Sequence, residues 1–298
     1  MNPLFAAQIL ALLAAFTFAM GNVSVRYGLR TSTPITGTLT LALVTLLVFA
    51  PIALATSSPA EIKIRGLVAF FAAGIASPGL ARTLIFMSFR RIGLSRSITI
   101  VNSAPLITVI LAVIALGERP TLLVYSGTLL LVAGVISLTY EQRSASRIEG
   151  HGKPVWYYFI YAVTAAFMLG ISIALRKVGV TIIPTLSLGL CIAGLGTLLA
   201  IGFWYPFLPQ QDRFQVGRKN IGYFLGGGLL TNLAMLSYFA ALQRGPVSTV
   251  TPLASTVPLF TLAFSWVLFR DVERLNLRIA AGAFLICAGA ALVTMSRV

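Results

Sequence analysis

One arginine stands alone within an otherwise uncharged apolar stretch of the sequence: Arg82. Gly74, Pro78, Arg82 and Phe86 follow one another at intervals of four residues, so on a helix they share one face. A proline there frees a backbone carbonyl, which a polar cavity can satisfy within a membrane. We therefore expect Arg82 to face a cavity and to pair with a carboxylate or phosphate. The alternative is that Arg82 snorkels to the membrane edge or bonds helix-end carbonyls.

Polar residues in other apolar stretches complete the set of candidate substrate-binding residues. Asn102 and Ser103 lie just before Pro105, and Ser255 lies just before Pro258. A proline weakens the hydrogen-bond ladder around it, so these side chains either repair the backbone or face a substrate. For every such residue the alternative is a hydrogen bond that only holds helices together. The full set is Arg82, Asn22, Asn102, Ser103, Ser172, Asn232, Tyr238 and Ser255.

Residues for acid–base or metal chemistry are missing from the apolar stretches. The single histidine, His151, lies in a polar linker, and the two cysteines, Cys191 and Cys287, lie within apolar runs. We therefore expect no enzyme activity, no cofactor and no metal site. The acidic residues all lie outside the apolar stretches or at their edges: Glu61, Glu118, Glu141, Glu149, Asp212, Asp271 and Glu273.

The composition is that of a membrane protein. Of the 298 residues, 58% are hydrophobic and 10% are charged, with a mean hydropathy of +0.94; soluble domains are about 45–50% apolar and about 25% charged. The net charge of +15 comes from basic residues that punctuate apolar runs and form no stripe. This pattern is typical of loops beside a membrane and does not indicate a nucleic-acid partner.

The charges divide the chain into segments of membrane-spanning length, which is about 20 residues. We predict an all-α integral membrane protein with ten transmembrane helices, of which only the third carries a charge in its interior. The predicted helices cover residues 4–25, 35–56, 66–89, 97–116, 121–140, 155–175, 183–205, 221–242, 247–268 and 279–296.

The two halves of the sequence resemble each other. At a shift of 151 residues Arg26 falls on Lys177, and at a shift of 153 Pro105 falls on Pro258. We predict a first repeat over residues 1–140, a linker over 141–154 and a second repeat over 155–298. Since each repeat has five helices, an odd number, the second copy must be inverted in the membrane. Inverted repeats place a substrate site at their interface near the midplane and move by alternating access.

The residues Phe86 to Leu138 read FMSFRRIGLSRSITIVNSAPLITVILAVIALGERPTLLVYSGTLLLVAGVISL. This stretch resembles the repeat of EamA-type transporters in the drug/metabolite transporter superfamily: a short basic turn, a helix with an internal proline, Gly-Glu at its end, and a glycine-spaced helix. The second copy, Tyr238 to Val293, resembles it with Arg270-Asp271 in place of Gly-Glu. The resemblance implies cytoplasmic termini and a central cavity lined by the first, third, fourth, sixth, eighth and ninth helices.

Two features refine this resemblance. The short relatives of the superfamily rely on a glutamate in the first helix, where this chain offers Asn22 and no acid, which argues against a cation/proton antiporter of that kind. In the last helix of each repeat, pairs of glycines lie seven residues apart, which keeps small residues on one face. We therefore expect the fifth and tenth helices to be packing elements away from the cavity. The pairs are Gly127 with Gly134 and Gly282 with Gly289.

The distribution of charge and the family resemblance predict opposite orientations. With cytoplasmic termini, seven Lys or Arg lie on the cytoplasmic side and fourteen on the other, whereas basic residues normally collect in the cytoplasm. We follow the resemblance and expect cytoplasmic termini. The cytoplasmic set would be Lys63, Arg65, Arg119, Arg176, Lys177, Arg244 and Arg297.

The sequence thus predicts a multi-pass secondary transporter of the inner cell membrane. We expect an exporter of a small polar organic metabolite, amino-acid-like or otherwise bearing an anionic group. The alternatives are a channel-like facilitator and an importer of a vitamin or nucleoside. The expected partners are the small-molecule substrate and the lipid bilayer, with no nucleic acid, and we expect a monomer.

Overall fold

Ten helices long and apolar enough to cross a membrane make up the fold in the computed structural model, and the described residues contain no β-strand. The structure describes residues 2–29, 32–58, 62–144, 156–208, 210, 213–215, 221–268 and 277–296. Most of the predicted linker, including His151, and the pair Arg270-Asp271 lie outside them. The predicted fold class is confirmed. The spans are Pro3–Gly28, Pro34–Thr56, Ile64–Phe89, Arg96–Leu116, Leu122–Thr139, Phe159–Ile182, Leu186–Phe207, Ile221–Arg244, Val247–Phe264 and Arg278–Met295.

Local sequence signals set the helix ends. The Asn2 side chain accepts a hydrogen bond from the Leu4 N–H at 3.1 Å, which satisfies one of the free N–H groups at the start of the first span. Pro3 occupies the first turn, where its lack of an N–H group leaves no donor unsatisfied. Two glycines with positive φ separate helices where other residues would be strained. Gly93 (φ 85°) stands between the third and fourth spans, and Gly117 (φ 69°) ends the fourth.

Three spans are interrupted. The third consists of Ile64–Gly74, a π-helical segment Ile75–Leu80 and Ala81–Ile92. The fourth is broken between Leu94–Val101 and Ala104–Leu116, and the ninth between Val247–Ala254 and Val257–Leu268. The last two breaks, at residues 102–103 and 255–256, are 153 residues apart. Each break lies just before the proline that the two repeats share, Pro105 or Pro258.

Contacts between helix ends show that the repeats are inverted. Gln8 Nε2 donates to the Thr294 carbonyl at 3.1 Å, so both ends of the described chain lie on one face, here called the terminal face. On the other face Ser24 Oγ donates to the Tyr223 carbonyl at 2.9 Å. The first span therefore begins on the terminal face, whereas the sixth span ends there. We call the second face the linker face, because the fifth span ends and the sixth begins on it.

The fifth and tenth spans pack backbone to backbone along a glycine seam formed by Gly127, Gly134, Gly282 and Gly289. A Cβ atom on Gly134 would lie 2.7 Å from the Gly282 carbonyl oxygen, and one on Gly289 would lie 2.6 Å from the Gly127 carbonyl oxygen. The expectation that glycines pack these spans is confirmed, because no larger residue fits.

Candidate functional site

Three adjoining cavities lie inside the helix bundle. The first, which we call the arginine cavity, has a volume of about 230 Å³; the central cavity measures about 210 Å³ and the apolar cavity about 360 Å³. The arginine and central cavities share Arg176 and Met235, and the central and apolar cavities share Thr251 and Ser255. The three spaces therefore adjoin one another, and residues of both repeats line them.

More spans line this system than the resemblance implied. Thr38 of the second span and Thr197 of the seventh line the arginine cavity. Leu131 and Val135 of the fifth span line the apolar cavity. The expectation that the fifth span lies away from the cavity is therefore wrong: only its glycine face packs against the tenth span, and its branched residues face inward.

Arg82 extends from the second half of the broken third span into the arginine cavity, where its side chain is exposed. Its Nη1 donates to Thr38 Oγ1 at 3.2 Å. A hydroxyl partner leaves the guanidinium charge unneutralised and most of its donors free. The predicted position of Arg82 on a cavity wall agrees with the structure; its role in binding stays a prediction.

A second arginine lines the same cavity, and the sequence analysis missed it. Arg176 was expected in a loop after a helix ending at 175, but the sixth span continues to Ile182 and buries Arg176 to 7% exposure. Its Nη2 donates to the Ser77 carbonyl at 2.7 Å, and its guanidinium lies 5.7 Å from the centre of the Phe239 ring. The apolar residues 178–183 could have signalled that the helix runs past this charge.

The break in the third span explains why polar side chains gather here. Ser77 has non-helical angles (φ −155°, ψ 128°) just before Pro78, so carbonyl oxygens around it lose their helical donors. Ser172 Oγ donates to the Ala73 carbonyl at 2.8 Å and to the Ser77 carbonyl at 3.2 Å. The sixth span thus satisfies the freed backbone within the membrane, as such a break requires.

Asn232 of the eighth span also lines the arginine cavity. Thr45 Oγ1, which also lies 2.9 Å from the Leu41 carbonyl, donates to Asn232 Oδ1 at 2.6 Å. The amide nitrogen Nδ2 then has no hydrogen-bond partner among the described residues, and neither has Nε of Arg176. Two buried N–H donors beside the cavity are thus left for an acceptor.

The other candidates divide between cavity walls and helix breaks. Tyr238 and Ser255 line the central cavity, where the Tyr238 hydroxyl lies 3.1 Å from Thr251 Oγ1. Asn102 lines the apolar cavity and donates to Thr139 Oγ1 at 3.3 Å.

Two candidates lie outside these walls. Ser103 Oγ donates to the Ile100 carbonyl at 2.6 Å, as expected of a residue that repairs a helix break, and it lines none of the three cavities. Asn22 is exposed and lines none of them either.

On the terminal face, charged side chains hold helix ends together, between the repeats at Glu118 and within the second repeat at Lys177. The Glu118 carboxylate of the first repeat accepts hydrogen bonds from the Val247 N–H at 2.7 Å and the Ser248 N–H at 2.9 Å, at the start of the ninth span. Lys177 Nζ donates to the Leu242 and Gly245 carbonyls at 2.6 and 2.8 Å, at the end of the eighth. Both contacts complement helix dipoles.

An all-helical membrane fold of two inverted five-span repeats around a polar cavity defines a class of membrane transporter. The comparison with protein families agrees: the chain belongs to the EamA-like transporter family, whose profile matches residues 5–140 and 156–295. It is therefore a membrane transporter of the drug/metabolite transporter type. Members of this family are transporters and not enzymes.

The comparisons with individual proteins add the fold but no activity. No curated protein matches the chain. One solved crystal structure of a protein is similar with a TM-score of 0.77 and 16% sequence identity, over 96% of this chain and 95% of the other. At that identity the likeness shows a common fold alone.

Proposed function

We propose that this protein is a secondary transporter that moves a small polar organic metabolite bearing an anionic group, by alternating access. The observation that carries the proposal is Arg82, a cation exposed to a cavity whose walls come from both repeats. Intramembrane charges are costly and mark substrate pathways. An anionic group on the substrate would complement this charge.

The terminal-face contacts support a mechanism in which the repeats move relative to each other. Glu118 belongs to the first repeat and its backbone partners, Val247 and Ser248, to the second. With these bonds formed, helix ends of the two repeats are joined on the terminal face. Separation of the two repeats at this point would open a path between the central cavity and that face.

Counterflow in proteoliposomes tests the proposal. A thermal-shift screen of the purified full-length protein against amino acids, nucleosides, sugar phosphates and vitamins first finds compounds that raise its unfolding temperature, since a ligand of the folded form stabilises it. Vesicles loaded with an unlabelled hit should then accumulate the labelled compound transiently above equilibrium. Simple equilibration without this overshoot would identify a channel-like facilitator and contradict alternating access.

The direction and the setting of transport follow from the family resemblance. We propose export across the inner cell membrane, by a monomer whose termini lie in the cytoplasm. No residue set in the spans supports catalysis, and we propose no enzymatic activity or resident cofactor.

A further inference from the structure

We infer that the arginine cavity binds a doubly negative headgroup, a phosphate monoester or a dicarboxylate, between Arg82 and Arg176. This inference rests on the proposed function, because it takes the cavity to be the substrate site. The two guanidinium groups come from different repeats, and both line a space of about 230 Å³. A phosphate or a pair of carboxylates matches the fork of donors that each guanidinium presents.

The two positive charges have no counter-charge in the spans. None of the seven acidic residues of the sequence falls within the ten spans as the described residues define them. The Glu118 carboxylate is already bonded to the backbone on the terminal face. Charge within the spans without a partner is costly, so the cavity suits a ligand that brings about two units of negative charge.

Repair of the broken third span does not account for Arg176. Arg176 Nη2 is the closest donor to the Ser77 carbonyl, at 2.7 Å, but a carbonyl oxygen is equally satisfied by a neutral donor, so this bond does not by itself require a charge. Arg176 adds a full charge and keeps its Nε–H without a partner among the described residues. Its other close neighbours, the Met235 sulfur and the Phe239 ring, carry no negative charge. A negatively charged ligand would explain why a cation is placed at residue 176.

Further donors face the same space. Asn232 offers its unpartnered Nδ2, because Thr45 occupies its Oδ1. Thr38 lies at Arg82 and presents a hydroxyl. A cavity that combines two guanidiniums with an amide N–H favours a ligand rich in acceptor oxygens over a single carboxylate. The adjoining central cavity gives room for the uncharged part of the same molecule.

A binding comparison with matched probes tests the inference. The purified full-length protein is titrated with glycerol 3-phosphate and succinate as dianions, butyrate as a monoanion and glycerol as a neutral compound. One additional charge-assisted hydrogen-bonded contact raises the affinity by about tenfold to a hundredfold. At least one of the two dianions should therefore bind at least about tenfold more tightly than butyrate. The stronger of the two dianions identifies the headgroup.

Variants of the two arginines complete the test. Arg176→Gln and Arg82→Gln should each reduce the preference for dianion over monoanion to near unity, and Arg176→Lys should retain part of it. Because the preference is a ratio within one variant, a change in stability does not mimic it. Arg244→Gln is the matched control, since Arg244 is exposed and its Nη1 donates only to the Ala240 carbonyl, at 3.0 Å.

The outcomes separate this inference from the proposed function. The inference is overturned if neither glycerol 3-phosphate nor succinate binds the wild type more tightly than butyrate, or if a dianion preference survives Arg176→Gln. If a compound with a single negative charge shows counterflow and no dianion binds, the proposed function stands and the two-cation site does not. If no compound shows counterflow, the proposed function itself fails.

Discussion

At the scale of single residues, the sequence identified one of the two cavity arginines. Arg82 was recognisable because apolar residues surround it on both sides. Arg176 is followed directly by Lys177, and a pair of charges near the end of an apolar run is the usual sign of a loop. Its burial depends on contacts with the third and eighth spans, which periodicity along one helix does not reveal.

The contribution of Arg82 can be measured directly. Arg82→Ala should weaken the apparent affinity for the transported anion by about tenfold to a hundredfold, the range of a charged hydrogen-bonded contact. Concentration-dependent uptake into proteoliposomes, with Arg244→Ala as the control, gives both the apparent affinity and the maximal rate. If neither quantity changes, Arg82 does not contact the substrate.

At the scale of helices, the prolines predicted where the spans are weak but not what stabilises them. The breaks at residues 102–103 and 255–256 follow the repeat, as their prolines indicate. The break at Ser77 has no equivalent in the eighth span, which is continuous over Ile221–Arg244. The structure was needed to identify the carbonyls that are freed at this break. It also shows that Ser172 of the neighbouring sixth span bonds them.

The cap on the ninth span gives a prediction for one helix end. Glu118→Ala removes an acceptor from the N–H groups of Val247 and Ser248, and loss of a helix cap costs about 0.5–2 kcal/mol. The unfolding midpoint in detergent should therefore fall, while Arg119→Ala, on the exposed neighbouring residue, should leave it unchanged. An equal midpoint for both variants would show that the Glu118 contact does not stabilise the closed terminal face.

At the scale of the molecule, the number of spans and their repeat were predictable because hydropathy and matched prolines are properties of the sequence itself. The spans that form the cavity walls were less predictable from the sequence. The second and seventh spans contribute to the arginine cavity, yet neither carries a charge or a break that would mark it. Their part in the site arises from how the repeats pack together.

Orientation is the prediction that belongs to the whole chain. Alkaline phosphatase fused to either terminus should be inactive and a fluorescent protein at the same place should be bright, because both would be cytoplasmic. Phosphatase inserted between the fifth and sixth spans, whose adjoining ends lie on the linker face, should give the opposite result and serves as the control. Active phosphatase at both termini would show that the fourteen basic residues outside the predicted cytoplasmic set determine the topology.

The glycine seam has a consequence for how this molecule can move. A Cβ at these glycines would meet backbone atoms of the partner span, so we expect the fifth and tenth spans to stay together when the repeats move. Arg82 and Arg176 belong to different repeats and line a cavity that neither of these spans borders. Rotation of one repeat against the other about this pair would therefore change the separation of the two guanidiniums.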